Sequence, residues 1–234
     1  MPLSKAVKLA KPARIVLLGA PGAGKTTQCA RIQDSFLNVS SLSLKHIFRT
    51  EIARGLPFSS SVKKLMETGS LIPDDVTMCL VQNFLYEHNW FNTASNWVMH
   101  GLPRTKAQAV ALDRILDGNK AGVTMAIELN VDQKLILDRV EKRWVHPPSG
   151  KVYNLEYDPP EVPYKDDATG EPLIKREDDE AVLLQLRLDQ YNKEIEEIRS
   201  YYQRRGVWHE VGGKSSDIIF PQIKELLVKK FGQA

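Results

Sequence analysis

The sequence predicts an α/β protein built on a five-stranded parallel sheet, because five strand-like runs are separated by stretches with helical spacing of apolar residues. Strands separated by helices form parallel sheets with helices on both faces, and such sheets bind ligands at the carboxyl ends of their strands. The strand-like runs lie at 14–18, 37–44, 97–100, 123–129 and 207–211. We therefore expect a three-layer fold with its functional site at that edge.

Helices are indicated by apolar residues at steps of three and four. Pro73 followed by two aspartates is typical of a helix start, and Gly206 is typical of a helix end. The long helix before Gly206 carries an apolar stripe that we interpret as core. Its members are Leu184, Leu188, Tyr191, Ile195, Ile198 and Tyr202. A closing helix is expected at 217–231.

Composition bounds the class of protein. The 234 residues suffice for one large domain, or for a domain with insertions, and 42% apolar and 26% charged residues are ordinary for a globular protein. The net charge of +3 is too small to indicate nucleic acid or an anionic membrane as partner, and no apolar run approaches the roughly 18 residues of a spanning helix. Cys29 and Cys79 lack metal-binding spacing and are expected to be buried, reduced thiols.

The amino-terminal residues 1–13 form a basic extension without acidic residues. Its lysines alternate with apolar side chains, which is compatible with mitochondrial import. A solvated basic tail explains the composition equally well. The expected location is therefore the mitochondrial matrix, with the cytoplasm as the alternative.

Residues 19–26 read Gly-Ala-Pro-Gly-Ala-Gly-Lys-Thr, which is the pattern of a phosphate-binding loop. An apolar strand precedes the loop and a helix follows it, as this motif requires. The loop's N–H groups and the helix N-terminus attract phosphate, Lys25 would reach the β- and γ-phosphates, and Thr26 would hold Mg²⁺ through its hydroxyl. A glycine-rich turn that arose by chance would not need a strand before it and a helix after it. We therefore predict a nucleotide-phosphate site.

Six arginines lie beside turns and strand ends around this loop. A phosphoryl group in transfer spreads negative charge over several oxygens, and guanidinium groups bind those oxygens with paired hydrogen bonds. For any one arginine alone, a surface salt bridge is the better interpretation. As a set they favour phosphoryl transfer. They are Arg49, Arg104, Arg139, Arg143, Arg176 and Arg187. Arg139 and Arg143 are expected on one helix face.

Residues 145–179 interrupt the alternation of strands and helices. The segment is rich in proline and glycine, yet it also contains three tyrosines and several β-branched residues. This composition predicts a small, mobile β-rich insertion rather than a helix or a plain linker.

The chain resembles adenylate kinases in three motifs: the loop at 19–27, the turn at 101–105 with Gln108, and the segment from 143–147 through 178–179. The similarity covers about residues 14–228. The insertion and Leu-Ile-Pro-Asp-Asp at 71–75 are most similar to the mitochondrial GTP:AMP phosphotransferase branch.

This resemblance implies a P-loop core, an inserted helical segment that binds the nucleoside monophosphate (NMP), and a small β-rich lid. The core would comprise 14–42, 73–141 and 180–234, the NMP-binding segment 43–72, and the lid 142–179. The implied activity is reversible transfer of the γ-phosphoryl group of MgGTP, or MgATP, to AMP by a monomer.

The resemblance also implies roles for individual residues. The donor would contact Gly22, Ala23, Gly24, Lys25, Thr26, Thr27, Arg139, Arg143, Val152 and Tyr153. AMP would contact Arg49, Leu71, Ile72, Gly101, Arg104, Gln108, Arg176 and Arg187. Catalysis would fall to Lys25, Arg104, Arg143, Arg176 and Arg187, with Mg²⁺ at Thr26 through the bound nucleotide.

Some lids in this family carry a four-cysteine zinc site. The corresponding positions here are His146, Ser149, Asp166 and Thr169, which offer no thiolate. We therefore expect a lid held by hydrogen bonds, without structural zinc.

The chain departs from the family beside the phosphate loop. Leu44, Lys45 and His46 stand where the family has a hydroxyl residue, glycine and aspartate, and His100 replaces a second aspartate. Both aspartates belong to the water shell of Mg²⁺, and a protonated imidazole would repel the metal.

Two hypotheses follow. In the first, the enzyme turns over with Mg²⁺ held by Thr26 and the triphosphate. In the second, the protein binds nucleotide without turnover and serves as a scaffold or subunit. A signalling GTPase is a weaker interpretation, because residues 119–122 read Asn-Lys-Ala-Gly without the final aspartate of a base-reading motif. A nucleic-acid module is weaker still, because no basic stripe is interleaved with aromatics.

Overall fold

The structure is a computed structural model that describes residues 6–55, 59–68, 70–175 and 179–232. The strands are β1 (Arg14–Gly19), β2 (Ser40–Ser43), β3 (Trp97–His100), β4 (Met125–Asn130), β5 (Arg143–Val145), β6 (Val152–Asn154) and β7 (Trp208–Gly212). The helices are α1 (Lys25–Ser35), α2 (Leu44–Ala53), α3 (Ser59–Glu67), α4 (Asp74–Glu87), α5 (Lys106–Asp117), α6 (Gln133–Glu141), α7 (Ala181–Arg204) and α8 (Ser216–Phe231).

Five strands form one parallel sheet in the order β2-β3-β1-β4-β7, which confirms the predicted architecture. A separate antiparallel pair, β5-β6, supplies the predicted small β structure. Strand β2 is shorter than the predicted run at 37–44, since Asn38 adopts a left-handed φ of 59° that interrupts an extended chain.

The sheet is buried on both faces, as parallel sheets generally are. In β1, Ile15 and Leu17 belong to one apolar cluster, with α1 and α8, whereas Val16 and Leu18 belong to a second, with α4 and α5. This two-sided burial explains why the central strands read as continuous apolar runs. It also fixes the carboxyl ends of β1 and β3, where the phosphate loop and the turn at 101–105 begin.

The described part of the amino-terminal extension is part of the domain. The Val7 N–H donates to the Ser35 carbonyl (2.8 Å), the Ala10 N–H donates to the Phe231 carbonyl (2.7 Å), and Leu9 is buried in the core. A solvated tail therefore does not describe residues 7–13, although residues 1–5 lie outside the described ranges.

The structure corrects two expectations. Helix α6 ends at Glu141, and Arg143 begins β5, so Arg139 and Arg143 do not share a helix face. The aromatic and β-branched pair Trp144-Val145 favours extended backbone and pairs with β6 instead. Cys79 is exposed, because α4 turns the neighbouring Met78 and Leu80 inward, whereas Cys29 is buried as expected.

No helix in the described part of the chain combines the length and apolar character needed to cross a membrane.

Candidate active site

The phosphate loop connects the end of β1 to the start of α1, and its glycines are required by close contacts or by their backbone conformation. Gly22 adopts a φ of 86°, and a Cβ there would lie 2.7 Å from Ile136 Cγ2. A side chain at this position would therefore both strain the backbone and push α6 away. At Gly24, by contrast, a Cβ would have room, and the φ of 92° is what favours glycine. The loop is closed by a hydrogen bond from the Ala23 N–H to the Ala20 carbonyl (3.1 Å).

Lys25 lies at the base of this loop, at the first position of α1. Its Nζ donates to the carbonyl oxygens of Gly19 (2.7 Å) and Ala20 (2.8 Å). Burial lowers the pKa of Lys25 to about 7, with further lowering by the positive charges of Arg104 and Arg143. An anion beside Lys25 would favour the charged form and raise this pKa again. The loop therefore offers a site where a phosphate would be strongly attracted.

A cavity of about 900 Å³ extends from Lys25 to the lid and to the segment at 43–72. Pockets of this size hold small organic ligands. Six of the eight residues predicted for AMP line it: Arg49, Leu71, Ile72, Gly101, Arg104 and Arg187. Of the residues predicted for the donor phosphates, Lys25 lines it, whereas Gly22, Ala23, Gly24, Thr26, Thr27 and Arg143 do not. Lid residues Val145 and His146 line its opposite side.

Arg104 reaches the cavity from the turn after β3. Its Nε donates to the Gly101 carbonyl (3.0 Å), and Gly101 itself has a φ of 82° with its α-carbon turned toward Leu44. Solvent reaches Arg104 through the open cleft, but protein surrounds it elsewhere. This desolvation, followed by the positive charge of Arg187, lowers the pKa of Arg104 to about 10. Arg104 thus remains charged near pH 7.

Gln108, in the first turn of α5, supports the backbone of Arg104 through a hydrogen bond. The Arg104 N–H donates to Gln108 Oε1 (2.7 Å), and Gln108 Nε2 donates to Asp74 Oδ1 (2.7 Å). Thr105 Oγ1 donates to the other oxygen of Asp74 (2.9 Å). The sequence identified Gln108 but missed Asp74, which it assigned only to a helix start. A contact of Gln108 with AMP stays a prediction.

Arg143 and Arg139 lie on different sides of the lid's base. Arg143 donates to Asp179 through Nε (2.8 Å to Oδ2) and through Nη2 to Oδ1. Arg139 Nη2 donates to the Lys214 carbonyl (2.7 Å), and its guanidinium lies 5.8 Å from the ring centroid of Tyr157. Arg143 is thus close enough to Lys25 to affect its pKa, whereas Arg139 faces the loop before α8.

Other predicted donor residues differ in their exposure. Thr26 and Thr27 are exposed on the first turn of α1, and Val152 is exposed on the lid. Tyr153 is buried, so its side chain does not reach the cavity, and any donor contact would come from its backbone. Arg176 lies outside the described residues.

The lid is held together by the side chains at the four zinc-equivalent positions, by Glu171, which the sequence did not single out, and by Tyr153, which was predicted to contact the donor. His146 Nδ1 contacts Ser149 Oγ (2.8 Å), and its Nε2 contacts Glu171 Oε2 (2.7 Å). The buried Asp166 accepts hydrogen bonds from Tyr153 OH (2.8 Å) and from Thr169 Oγ1 (3.0 Å). Glu171 and Tyr153 thus complete the hydrogen-bonded cluster.

His100 lies at the end of β3, between Leu17 of β1 and Ser43 of β2 in the sheet. Burial, followed by the positive charge of Lys25, lowers the pKa of His100 to about 4. Its imidazole is therefore neutral near pH 7 and adds no charge that would repel a cation. His46 is exposed in the first turn of α2, where its N–H donates to Ser43 Oγ (3.1 Å).

Comparison with known proteins decides the family. The family model described as "Adenylate kinase" matches residues 17–207, which include the phosphate loop, the turn at 101–105 and the lid. The chain belongs to the adenylate kinase family.

Curated relatives of this adenylate kinase family member cover nearly its whole length. A Saccharomyces cerevisiae protein named "GTP:AMP phosphotransferase, mitochondrial" is 43% identical over 224 residues, 96% of each chain. A protein of the same name from S. cerevisiae strain ATCC 204508 / S288c is 43% identical over 212 residues, 91% of this chain and 94% of the relative. An "Adenylate kinase" of Talaromyces marneffei is 36% identical over 207 residues, 88% of this chain and 75% of the relative.

These relatives confirm the predicted family and its phosphotransferase character. They give no support to the hypothesis of a protein that binds nucleotide without turnover, which rested on His46 and His100. The predicted domain bounds and the roles of single residues stay predictions.

Proposed function

We propose that the protein is a nucleoside monophosphate kinase that transfers the γ-phosphoryl group of MgGTP reversibly to AMP, with MgATP as the alternative donor. The observation that carries the proposal is the convergence of Lys25, Arg104 and Arg187 on one cavity that reaches the segment at 43–72. Two relatives at 43% identity are named GTP:AMP phosphotransferases, which supports GTP as the donor.

Catalysis would come from alignment and charge neutralisation, without a covalent intermediate. The loop's N–H groups and Lys25 would hold the donor's β- and γ-phosphates. Arg104 and Arg187 would bind the equatorial oxygens of the transferred group and the acceptor phosphate between them. An AMP phosphate oxygen would form the new bond to phosphorus as the bond to the bridging oxygen of the donor breaks, which yields GDP and ADP.

The residues beside the loop fit a Mg²⁺ that arrives with the nucleotide. Mg²⁺ keeps several waters and binds through substrate phosphates with few protein ligands. The Thr26 hydroxyl is exposed on the first turn of α1. Within the described ranges, the carboxylates that line the cavity are Glu180 and Glu194, so the metal would rely on phosphate and water oxygens. When bound, it would neutralise charge on the transferred group.

The similarity to adenylate kinases supports three further proposals. The segment at 43–72 would hold the monophosphate, and closure of the lid at 142–179 would exclude water during transfer. We propose a monomer of the mitochondrial matrix, supported by the basic amino terminus and by the relatives' names. Since Val7 and Leu9 are packed in the fold, any import signal would have to leave them in place.

The test is a steady-state assay with AMP as acceptor and MgGTP or MgATP as donor, followed by chromatography of the products. We expect equal amounts of GDP and ADP from GTP, and a higher kcat/KM for GTP than for ATP. Reactions without AMP measure simple hydrolysis and serve as the control. A higher kcat/KM for ATP would make the alternative donor correct, and no transfer from either donor would overturn the proposed function.

A further inference from the structure

Glu128 is a buried carboxylate that the mechanism above does not use. It lies on β4, an interior strand whose buried residues are otherwise apolar, and it is only 3% exposed. A carboxylate in such surroundings destabilises the fold unless it is paired and hydrogen-bonded.

Both partners of Glu128 come from helix α7. The Tyr191 hydroxyl donates to Glu128 Oε1 (2.5 Å), and Arg199 donates to Oε2 through Nη2 (2.8 Å) and Nε (3.2 Å). Burial, followed by the hydrogen bond to Glu128, raises the pKa of Tyr191, so its hydroxyl remains a donor at physiological pH. Each carboxylate oxygen is thus bound by a different residue of one helix.

The two contacts fix the helix in two respects. Tyr191 and Arg199 are eight residues apart, which is about 12 Å along a helix axis. Because both reach one carboxylate, α7 can neither slide along its axis nor rotate without breaking one of the two contacts. Arg187 lies one turn before Tyr191 on the same face, and both side chains line the cavity.

On the sheet side, Glu128 is paired with the end of β1, just before the phosphate loop. It is in register with Leu18 of β1, and the next residue of β1 is Gly19, whose carbonyl accepts the Lys25 hydrogen bond. One carboxylate therefore joins β4, which pairs with the strand that begins the loop, to the helix that carries Arg187.

We propose that Glu128 is a positioning residue for phosphoryl transfer: by binding Tyr191 and Arg199 it sets the position of Arg187 relative to the phosphate loop. The inference rests on the proposed function, because it assigns Arg187 to the transferred phosphates. A displacement of about 1 Å at such a group can cost up to a hundredfold in rate.

A second ion pair, at the carboxyl end of the same helix, provides a matched control. Arg205 follows the end of α7, with Nε 3.0 Å from Asp113 Oδ2 and Nη2 2.8 Å from Asp117 Oδ2. Like Arg199, it binds a buried carboxylate, since Asp113 is almost completely enclosed. It ties the far end of α7 to α5 rather than to the strands of the phosphate loop.

The experiment compares Arg199→Met, Arg199→Lys and Arg205→Met with wild type, by kcat, by KM for donor and AMP, and by the unfolding midpoint. We expect Arg199→Met to lower kcat about tenfold with both KM values within about threefold, and Arg199→Lys to restore part of kcat. Arg205→Met should lower the unfolding midpoint and leave kcat within about twofold. Arg199 does not line the cavity, which makes it a cleaner probe than Tyr191.

A second arm tests whether the effect passes through Arg187. In an Arg187→Ala background, Arg199→Met should cause no further loss of kcat, because the positioned group is absent. Full additivity, or an unchanged kcat in Arg199→Met with a lowered unfolding midpoint, would overturn the inference. Absence of transfer in the wild type would instead overturn the proposed function, and this inference with it.

Discussion

Two cations of the cleft and two lysines of the lid are bound by different kinds of acceptor. In the cleft, Lys25 and Arg104 donate hydrogen bonds to backbone carbonyls of the phosphate loop and of the turn after β3. In the lid, Lys142 binds the carboxylates of Asp138 (2.7 Å) and Glu156 (2.5 Å), and Lys151 binds that of Asp167 (3.0 Å).

The pKa values follow this difference. Burial lowers the pKa of Lys25 to about 7 and that of Arg104 to about 10, whereas hydrogen bonds to carboxylates and to Tyr153 raise the pKa values of Lys142 and Lys151. The cleft therefore disfavours its own positive charges until an anion arrives. Neighbouring carboxylates compensate the charges of Lys142 and Lys151. Attraction for phosphate thus resides in the cleft, whereas Lys142 and Lys151 are paired with carboxylates.

The largest expected effect is that of Lys25→Ala. Removing the cation at the base of the phosphate loop should abolish transfer, to less than about a thousandth of the wild-type kcat/KM. Lys151→Ala is the matched control in the lid and should remain within about threefold of wild type, since an exposed ion pair contributes little. The measurement is the coupled steady-state assay with both substrates. Near-normal activity of Lys25→Ala would contradict the assignment of the loop.

Arg104→Ala should have the next largest effect, a loss of at least about a hundredfold in kcat, because one preorganised charge donor is removed. The control is Arg114→Ala, which removes an exposed arginine from α5. Pre-steady-state kinetics would separate the chemical step from product release. An unchanged rate for Arg104→Ala would mean that Arg104 serves only to support the turn.

The effect of pH on the Kd of the donor should be smaller than the effects of these two substitutions. With its pKa at about 7, free Lys25 is mostly neutral at pH 8, and a bound triphosphate favours its charged form. Binding at pH 8 should therefore take up nearly one proton, and Kd should rise by up to about tenfold per pH unit above 7. Calorimetry of MgGTP binding in two buffers of different ionisation enthalpy measures this uptake. The same titration of Lys25→Met should show none, and a pH-independent Kd for the wild type would refute the prediction.

The smallest effect is expected for Asp166→Asn in the lid. The Asp166 carboxylate accepts from Tyr153, from Thr169 and from two backbone N–H groups, and an amide cannot accept from all of these donors. Hydrogen exchange should accelerate roughly tenfold in the lid and remain unchanged in the sheet.

The pKa of Asp166 adds a pH dependence to the same lid. Hydrogen bonding, first from Tyr153, lowers this pKa to about 2, so the carboxylate stabilises the lid above pH 4 and loses that contribution as pH falls toward 2. The lid of Asp166→Asn should lack this acid transition. Equal protection of the lid in variant and wild type at neutral pH would show that the carboxylate is dispensable.

The sequence predicted the sheet because buried parallel strands leave apolar runs, and the bounds of β3 agree with the run at 97–100. It predicted the loop because a motif fixes both residues and spacing. Pairs such as Arg143 with Asp179 and Gln108 with Asp74 left no local pattern, since their members meet only after folding.

Two other parts of the chain had a weaker local signal. The lysines of the amino-terminal segment suggested a tail, whereas the alternation of Val7 and Leu9 with polar residues was the correct indication of packing. Tyr153 was assigned to the donor by analogy of motif. Its burial against Asp166 depends on the insertion folding back on itself, which residue spacing does not reveal.

The cations of the cleft, with a Mg²⁺ carried by the nucleotide, should suffice for turnover without the two aspartates that His46 and His100 replace. The most direct test is the rate of AMP phosphorylation with saturating MgGTP, for the wild type and for a His46→Asp, His100→Asp double variant. We expect a wild-type kcat of about 1–100 per second. A silent wild type together with an active double variant would show instead that turnover requires the two aspartates.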